Sequence, residues 1–409
     1  MNENEEYNLE ETAKLYRSKK SRNKRHNNDN NNNNKKYVII LLIISFIQFF
    51  IILFLSFRSK IKSDLNIKLI NNNTPLINTD TILNLIHTTK IEEEKKIITS
   101  KIEYKTEEYN TNKNIIHISM AIDNGAVYSS FVSMTSALES NDKNKNILSY
   151  HLLLSKDFNM KNMDYFNSLK NNYTFILNYI KIPGIFKSIK KWRSTETVYY
   201  KLLIPLLYPD IERMIFLDGD TLIYQDLSEM YNLDFNGTYL LGYPFHTADS
   251  LDGLEGEKYK LYINGGVLLF NNFEIRKNNM DLKVLIYTLE NHNKNHFLEQ
   301  DTLNIIYKGK IGLLPLKYGI YLFGNIDQYI KAYYEEKMRI FINRTEMEQA
   351  IQNPAIVHLV CCNPKVWTQN TRHEKGFNDV CFKYQKEFYF FANKTIYGQE
   401  IYDKYMKLD

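Results

Sequence analysis

The stretch FLDGDTLIYQDL, residues 216–227, places two carboxylates on either side of a glycine. An apolar run at 214–217 is typical of a buried strand, so Asp218 and Asp220 come where that strand ends. If the strand continued through them, both side chains would lie on one face, about 7 Å apart along the chain. Taken alone, the pattern favours an acidic turn over a metal site, because Asp and Gly commonly terminate strands.

Apolar and helical segments alternate around this stretch. Apolar residues between 127 and 138 recur at helical spacing, and the segment 195–209 predicts a helix that Pro205 kinks or breaks. Such alternation predicts an α/β sheet, whose ligands bind at the carboxyl ends of its strands. Asp123 falls at such an end, as does the aspartate pair. The predicted strands are 115–123, 148–155, 173–182 and 213–220.

The C-terminal half contains three further polar motifs. Asn-Gly-Gly at 264–266 begins an apolar run, where it indicates either a hairpin turn or a backbone that a ligand can approach closely. Residues 299–301, Glu-Gln-Asp, open a predicted helix, in which acidic side chains often only complement the helix dipole. His358 lies on a predicted strand, and Lys365 follows it seven residues later. Singly, each motif is weak.

The clearest physical signal is a run of 21 residues without a charge at 37–57. As a helix it would be about 31 Å long, enough to cross the hydrocarbon core of a bilayer. A signal peptide would be shorter and followed by small residues, whereas Arg58 follows this run. Eight Lys/Arg precede the run within 20 residues and four follow it within 20, so we expect a type II anchor with the C-terminal bulk in a lumen.

Composition divides the chain into five segments. Residues 1–36 are an Asn-rich basic tail, expected to be disordered and cytoplasmic, and the transmembrane signal-anchor at 37–57 follows. Asn, Thr and charge runs at 58–113 predict a lumenal stem. The catalytic domain is expected at 114–375, followed by an aromatic-rich C-terminal extension at 376–409. Sequons, which support a lumenal location only weakly in a chain so rich in Asn, are at Asn72, Asn172, Asn236, Asn343 and Asn393.

The net charge of +5 argues against a nucleic-acid-binding protein. Residues 1–36 account for +3 of it, with nine Lys/Arg against six Asp/Glu, which leaves +2 for the rest of the chain. The cysteines, Cys361, Cys362 and Cys381, are too few for a disulfide framework. One bridge from Cys381 to either of the others is compatible with an oxidising lumen.

Six motifs, in their order and spacing, resemble glycosyltransferase family 8, which includes glycogenin and the bacterial lipopolysaccharide galactosyl- and glucosyltransferases. The match extends from about Asn114 to Trp367. The resemblance implies the GT-A nucleotide-sugar-binding fold, a mixed α/β sheet flanked by helices, and transfer of a sugar from a UDP-sugar with retention of anomeric configuration. The motifs are AIDN (121–124), YYKLLIP (199–205), FLDGDTL (216–222), INGGVLLFN (263–271), EQDTLN (299–304) and HLVCCNPKVW (358–367).

The resemblance also implies roles for individual residues. Asp218, Asp220 and His358 would hold a divalent cation, usually Mn²⁺, and carboxylate oxygens with one imidazole suit that metal. Glu299 and Gln300 would lie beside the donor sugar as the candidate catalytic residues. The other donor-binding positions would be Ala121, Ile122, Asp123 and Asn124 at uracil and ribose, Lys201 near the donor, Gly219 between the metal ligands, Asn264 and Gly265 at the sugar, and Lys365 at the diphosphate.

The chain departs from the family pattern in three places, one of which is Lys365-Val366-Trp367, where members commonly have Lys-Pro-Trp. Glu299 stands where the family usually has Asp, which moves the carboxylate one methylene outward. The loop between His358 and Lys365 is one residue longer than in many members and lacks their glycine. Cys361 and Cys362 in this loop suggest a zinc site, an interpretation with little weight because a second Cys/His cluster is missing from the sequence.

We therefore expect a Mn²⁺-dependent hexosyltransferase in the Golgi or another secretory compartment. Its acceptor would be a glycan, glycoprotein or glycolipid. The alternative is an inactive family member that binds a nucleotide-sugar or a glycan as a regulator. The integrity of the metal and donor residues favours the enzyme.

Overall fold

The computed structural model describes residues 103–105, 112–187, 189, 195–247, 261–321, 343–361, 365–367 and 379–406. All of them belong to one compact unit, residues 85–409. The basic tail, the span at 37–57 and most of the stem lie outside the described residues. Within those residues, none of the helices combines the length and the apolar character that a membrane crossing requires.

Eleven strands are described, and eight of them form one mixed sheet. They are β1 (Glu103–Lys105), β2 (Asn114–Ile122), β3 (Asn146–Leu154), β4 (Ile176–Lys181), β5 (Arg213–Leu217), β6 (Thr221–Ile223), β7 (Leu240–Thr247), β8 (Leu261–Asn271), β9 (Ile311–Leu313), β10 (Ile320–Tyr321) and β11 (Ile356–His358). The large sheet has the order β1-β4-β3-β2-β5-β8-β7-β9, and β10, β11 and β6 form a second, smaller sheet.

The direction of the strands changes at the middle of the large sheet. Strand β2 runs parallel to both β3 and β5, and β3 runs parallel to β4. Strand β8 is antiparallel to both β5 and β7. The expected mixed α/β sheet is confirmed. β1 was not anticipated, since its residues fall in the predicted stem, and it pairs antiparallel with β4 at the sheet edge.

Helices flank the sheet. They are α1 (Val127–Ser140), α2 (Met163–Ser168), α3 (Ile204–Leu207), α4 (Ser228–Tyr231), α5 (Asn272–Lys277), α6 (Met280–Asn291), α7 (Glu299–Ile306), α8 (Arg344–Gln352), α9 (Asp379–Ala392) and α10 (Gly398–Met406). Helix α1 confirms the helical spacing at 127–138. The segment 195–209 begins as a 3₁₀ helix, Thr197–Leu203, and continues as α3. Pro205 lies in the first turn of α3, immediately after the change from 3₁₀ to α-helical geometry at Ile204.

Two predictions about strands need correction. Strand β5 ends at Leu217 rather than continuing to residue 220, because the chain turns at Gly219 and Asp220 before β6. The hairpin turn considered at 264–266 does not form. Strand β8 instead continues through these residues as an irregular stretch. Its pairing with β5 begins at Val267, and its register with β7 shifts between Ile263 and Leu268.

A hydrophobic cluster covers each face of the sheet. In β5, Ile215 and Leu217 join one cluster, while Met214 and Phe216 join the other, as the two-residue period of a strand requires. Residues of α9 and α10, from the segment predicted as a C-terminal extension, are buried in the first cluster together with α1. Strands β5 and β8 contribute side chains to both clusters, and two of the polar motifs lie on or just after these two packed strands.

Candidate active site

Four of the sequence motifs meet at the carboxyl ends of the central strands β2 and β5 of the large sheet. Because β2 and β5 are parallel neighbours, Asp123 and Asp218 follow them at the same edge. The antiparallel strand β8 brings Gly266 to this edge, where its carbonyl oxygen accepts from the Asp218 N–H at 2.8 Å. The pairing of β11 with β6 places His358 opposite Thr221, one residue beyond the aspartate turn.

Asp218, Asp220 and His358 form a cluster that could hold a metal ion. One ligand atom from each lies within 4.8 Å of the other two. The His358 Nε2 atom is 3.1 Å from Asp220 Oδ1 and 3.7 Å from Asp218 Oδ2. Two carboxylates and an imidazole are a donor set that suits a divalent transition metal such as Mn²⁺. The predicted metal residues are therefore together, the two aspartates at the turn between β5 and β6 and His358 at the end of β11.

The aspartate turn at 218–220 is closely packed, and side chains at Gly219 and Gly266 would not fit beside it. A β-carbon on Gly219 would lie 2.3 Å from the hydroxyl oxygen of Ser130 in α1. A β-carbon on Gly266 would lie 2.1 Å from His358 Cε1 and 2.7 Å from Asp218 Oδ2. Real contacts of that kind do not occur at such distances, so Gly266 lets β8 pass directly behind the metal cluster. The sequence pattern predicted a donor contact at Gly265 but not this role of its neighbour.

A tyrosine orients the imidazole of His358. The Tyr243 hydroxyl lies 3.1 Å from Nδ1, on the far side of the ring from the aspartates. A partner on one ring nitrogen fixes the tautomer and leaves the other nitrogen for a metal. Sequence analysis did not find Tyr243, since a buried aromatic residue in β7 gives no signal that separates it from the rest of the core.

Lys365 contacts the metal cluster directly. Its ammonium group is 2.6 Å from Asp220 Oδ2 and donates to the Leu359 carbonyl at 3.2 Å. Burial opposes ionisation of the Asp220 carboxyl, but Lys365 and His358 outweigh that effect and hold its pKa well below the usual range. Asp220 is therefore an anion at any physiological pH. This is the charge state in which a carboxylate binds a metal.

Lys201 is a buried cation within the site rather than a surface group. Its side chain is only 2% exposed, and its ammonium lies 2.9 Å from Glu299 Oε1 and 3.5 Å from Asp218 Oδ1. It also donates to the Gly265 carbonyl at 2.8 Å. Burial lowers the pKa of Lys201, but the two carboxylates outweigh it, so the net direction is upward. Lys201 therefore holds a metal-cluster aspartate and Glu299 at fixed positions.

A hydrogen-bond relay sets the orientation of Gln300. The Tyr262 hydroxyl donates to Asp301 Oδ1 at 2.5 Å, so its oxygen is left to accept from Gln300 Nε2 at 3.0 Å. The amide oxygen of Gln300 then accepts from the Gly265 N–H at 2.8 Å. An ionised carboxylate can only accept hydrogen bonds, so Asp301 fixes the donor in each bond of the relay. The orientation of the Gln300 amide follows from this. Tyr262 and the role of Asp301 were not anticipated.

The backbone is strained where α7 begins. Leu298 has a φ of 55°, in a region that L-residues other than Asn and Asp seldom adopt. Asp301 holds this turn by accepting the His296 and Phe297 N–H groups, at 2.6 and 2.9 Å. The turn presents Glu299 and Gln300 toward β8. Burial raises the pKa of the Glu299 carboxyl, and the pair with Lys201 limits that rise.

The predicted uracil and ribose residues lie beside a cleft of about 450 Å³ at the ends of β2, β3 and β4. Asp123 and Asn124 line it, whereas Ile122 is fully buried in the core and Ala121 is partly exposed. Asp123 accepts from the Gly125 and Ala126 N–H groups at 2.9 and 3.0 Å, which shapes the turn before α1. Of the four residues, Asp123 and Asn124 can contact a ligand in the cleft through their side chains.

Comparison with known proteins identifies the family. The model of the family described as Glycosyl transferase family 8 matches residues 117–371, more than half of the chain. The chain belongs to this family. General stress protein A of Bacillus subtilis (strain 168) is 29% identical over 209 residues, which are 48% of this chain and 67% of that protein.

Solved glycosyltransferases share the fold. The apo structure of the bifunctional glycosyltransferase WbbM has a TM-score of 0.55 at 16% identity and covers 74% of this chain, which in turn spans about half, 53%, of WbbM. The galactosyltransferase LgtC, in complex with donor and acceptor sugar analogues, has a TM-score of 0.54 at 17% identity, over 69% of this chain and 96% of LgtC. At these identities the superpositions establish a GT-A-like fold.

Proposed function

We propose that this glycosyltransferase moves a hexose or a related sugar from a UDP-sugar to a glycan, glycoprotein or glycolipid. The single observation that supports this most is the cluster of Asp218, Asp220 and His358, which lies at the same end of the sheet as the cleft lined by Asp123 and Asn124. The donor set fits a divalent cation, for which we propose Mn²⁺. When bound there, such an ion would neutralise charge on the diphosphate as the glycosidic bond breaks.

The protein's own groups would divide the remaining work. Lys365, already at the metal cluster through Asp220, would pair with the diphosphate. Asp123 and Asn124 would contact uracil and ribose in the cleft. Glu299 would accept hydrogen bonds from hydroxyls of the sugar, with Lys201 holding its carboxylate in place. Asn264 is itself constrained, because its side-chain oxygen accepts from the Gly266 N–H at 2.7 Å.

We further propose retention of configuration by attack from the face that the leaving group departs. A covalent route needs a nucleophile on the opposite face of the anomeric carbon. The amide oxygen of Gln300 is a poor nucleophile, and here it already accepts from the Gly265 N–H. In the same-face route the departing phosphate accepts the proton of the acceptor hydroxyl, and Gln300 needs no covalent bond to carbon.

A panel of UDP-sugars tests the activity. The full-length chain with Mn²⁺ should release UDP from one donor, and an α-linked donor should give the α anomer, as seen in the proton NMR coupling of the anomeric signal. An inverted product would contradict the proposed mechanism. Binding of UDP without turnover on any donor would favour the alternative of a non-enzymatic binding protein, which the intact metal and donor residues argue against.

Location in the cell is part of the same proposal. We propose a type II membrane protein of the Golgi or another secretory compartment, anchored by residues 37–57, with the domain in the lumen. The proposal rests on the length of the uncharged run and the Lys/Arg asymmetry around it. A lumenal domain would meet both nucleotide-sugars and glycan acceptors.

A further inference from the structure

Helix α9 holds the chain immediately after Lys365. The Gln385 amide donates to the Val366 carbonyl at 2.6 Å, and the Tyr389 hydroxyl donates to the Trp367 carbonyl at 2.6 Å. Both side chains are buried, and residues four apart share one face of a helix. Val366 is fully buried outside any strand, so its carbonyl takes a partner from a side chain. One helix face thus fixes two successive peptide groups.

The same helix packs the aromatic ring beside the lysine. The ring centroids of Trp367 and Phe388 are 5.2 Å apart, and the Lys365 ammonium lies 5.8 Å from the Trp367 centroid. A cation at this distance from an indole ring is attracted to its face. α9 therefore constrains both the backbone from which Lys365 extends and the surface along which its side chain lies.

The other end of Lys365 is at the metal cluster, 2.6 Å from Asp220 Oδ2. We propose that Gln385 and Tyr389 are positioning residues, which set the place of the Lys365 ammonium and so the affinity of the site for a nucleoside diphosphate. Both lie beyond residues 117–371, the part that the family model matches. The proposal rests on the proposed function, because it takes Lys365 to be a diphosphate contact.

A double-mutant cycle tests this proposal. The Kd of UDP in the presence of Mn²⁺ is measured by calorimetry on the full-length chain, with Tyr389→Phe placed in the wild-type and in the Lys365→Ala background. Tyr389→Phe removes one oxygen atom, and we expect it to weaken UDP binding about three- to tenfold in the wild-type background only. Tyr384→Phe, on the same helix and also buried, is the control and should not change the Kd.

Gln385→Met provides a second, independent variant, since it removes the amide donor and keeps the length of the side chain. It should reproduce the same dependence on Lys365. Equal weakening in both backgrounds would show a merely structural role and overturn the inference, as would no weakening in either. UDP binding by the wild-type chain is measured before any variants are compared. If the wild type binds no UDP, that result contradicts the proposed function itself.

Discussion

Gly265 and Gly266 are neighbours in β8, but a side chain at the second position would collide with the metal cluster. We expect Gly266→Ala to abolish metal binding and transfer, because its β-carbon would meet His358 Cε1 at 2.1 Å and neither backbone nor ring can move without breaking the cluster. The matched control is Gly265→Ala, whose β-carbon would lie at ordinary contact distances of 3.4–3.6 Å from Lys201 and Gln300. Metal binding should survive in that variant within about threefold.

Two results would contradict this explanation. Gly266→Ala could bind Mn²⁺ as the wild type does, or both variants could lose it to the same degree. Circular dichroism of each variant shows whether the sheet remains folded.

At this scale the sequence predicted the candidate metal cluster and missed the side chains around it. Asp218, Asp220 and His358 were predicted as a set because their motifs resemble those of glycosyltransferase family 8, whereas each motif taken alone was weak. Tyr243 and Tyr262 were missed because either could be replaced in the sequence by another buried aromatic without any change of pattern. Their roles depend on which atom faces them across the fold, at 3.1 Å from His358 Nδ1 and 2.5 Å from Asp301 Oδ1.

At the scale of elements, β2, β3 and β4 followed from their apolar runs, whereas the end of β5 at Leu217 did not. Apolar periodicity records which residues are buried, and burial is similar in a strand and in a turn packed against a helix. Ser130 of α1 lies against Gly219, a tertiary contact that no local pattern contains. The hairpin turn considered at 264–266 does not form, and the sequence could not show this because glycine occurs both in tight turns and in strands that pass close to other groups.

Neighbouring strands β2 and β3 contain a histidine pair, His151 buried and His117 half-buried, that should make stability depend on pH. His117 Nδ1 lies 3.0 Å from His151 Nε2. Burial lowers the pKa of His117 from 6.5 to about 4, and burial together with His117 lowers the pKa of His151 to about 3. Below pH 6.5 the unfolded chain therefore binds protons that the folded chain does not. Folding stability should fall as the pH falls from 6.5 toward 4.

Urea unfolding at pH 7 and pH 5 measures this effect. We expect His151→Gln to reduce the loss of stability between pH 7 and pH 5 by about 2 kcal/mol. The glutamine side chain does not titrate, so protonation at this position no longer stabilises the unfolded chain. His292→Gln, at the end of α6, is the control. An unchanged pH dependence in His151→Gln would show that the histidine pair is not its source.

At the scale of the whole molecule, the order of the motifs predicted more than any one of them. Four of the six motifs meet at the ends of the central strands, and Lys201 contacts both Asp218 and Glu299, so six weak patterns in sequence became one site in space. What the sequence could not predict is the contribution of α9 and α10 to the main core, because an aromatic-rich terminal segment looks the same whether it packs on the domain or leaves it. Trp367 against Phe388 shows that it packs.

Topology is the prediction that belongs to this scale. If the domain is lumenal, sequons at Asn172, Asn236, Asn343 and Asn393, whose residues are all exposed, become accessible to glycosylation. In microsomes the C-terminus should resist added protease, and glycosidase treatment should lower the apparent mass unless these four asparagines and Asn72 in the predicted stem are all changed to Gln. Digestion of the C-terminus together with protection of an N-terminal tag would establish the opposite orientation.

Titration of Mn²⁺ followed by electron paramagnetic resonance tests the central claim most directly, because it reports the bound ion without requiring a known donor or acceptor. The wild-type chain should show one Mn²⁺ site. Asp220→Asn should weaken its affinity for Mn²⁺ at least about tenfold, because a neutral amide replaces one of the two carboxylate ligands. Asp210→Asn, an exposed carboxylate before β5, should bind as the wild type does. Equal Mn²⁺ affinity in the wild type and in Asp220→Asn would contradict the assignment of Asp218, Asp220 and His358 as the metal site.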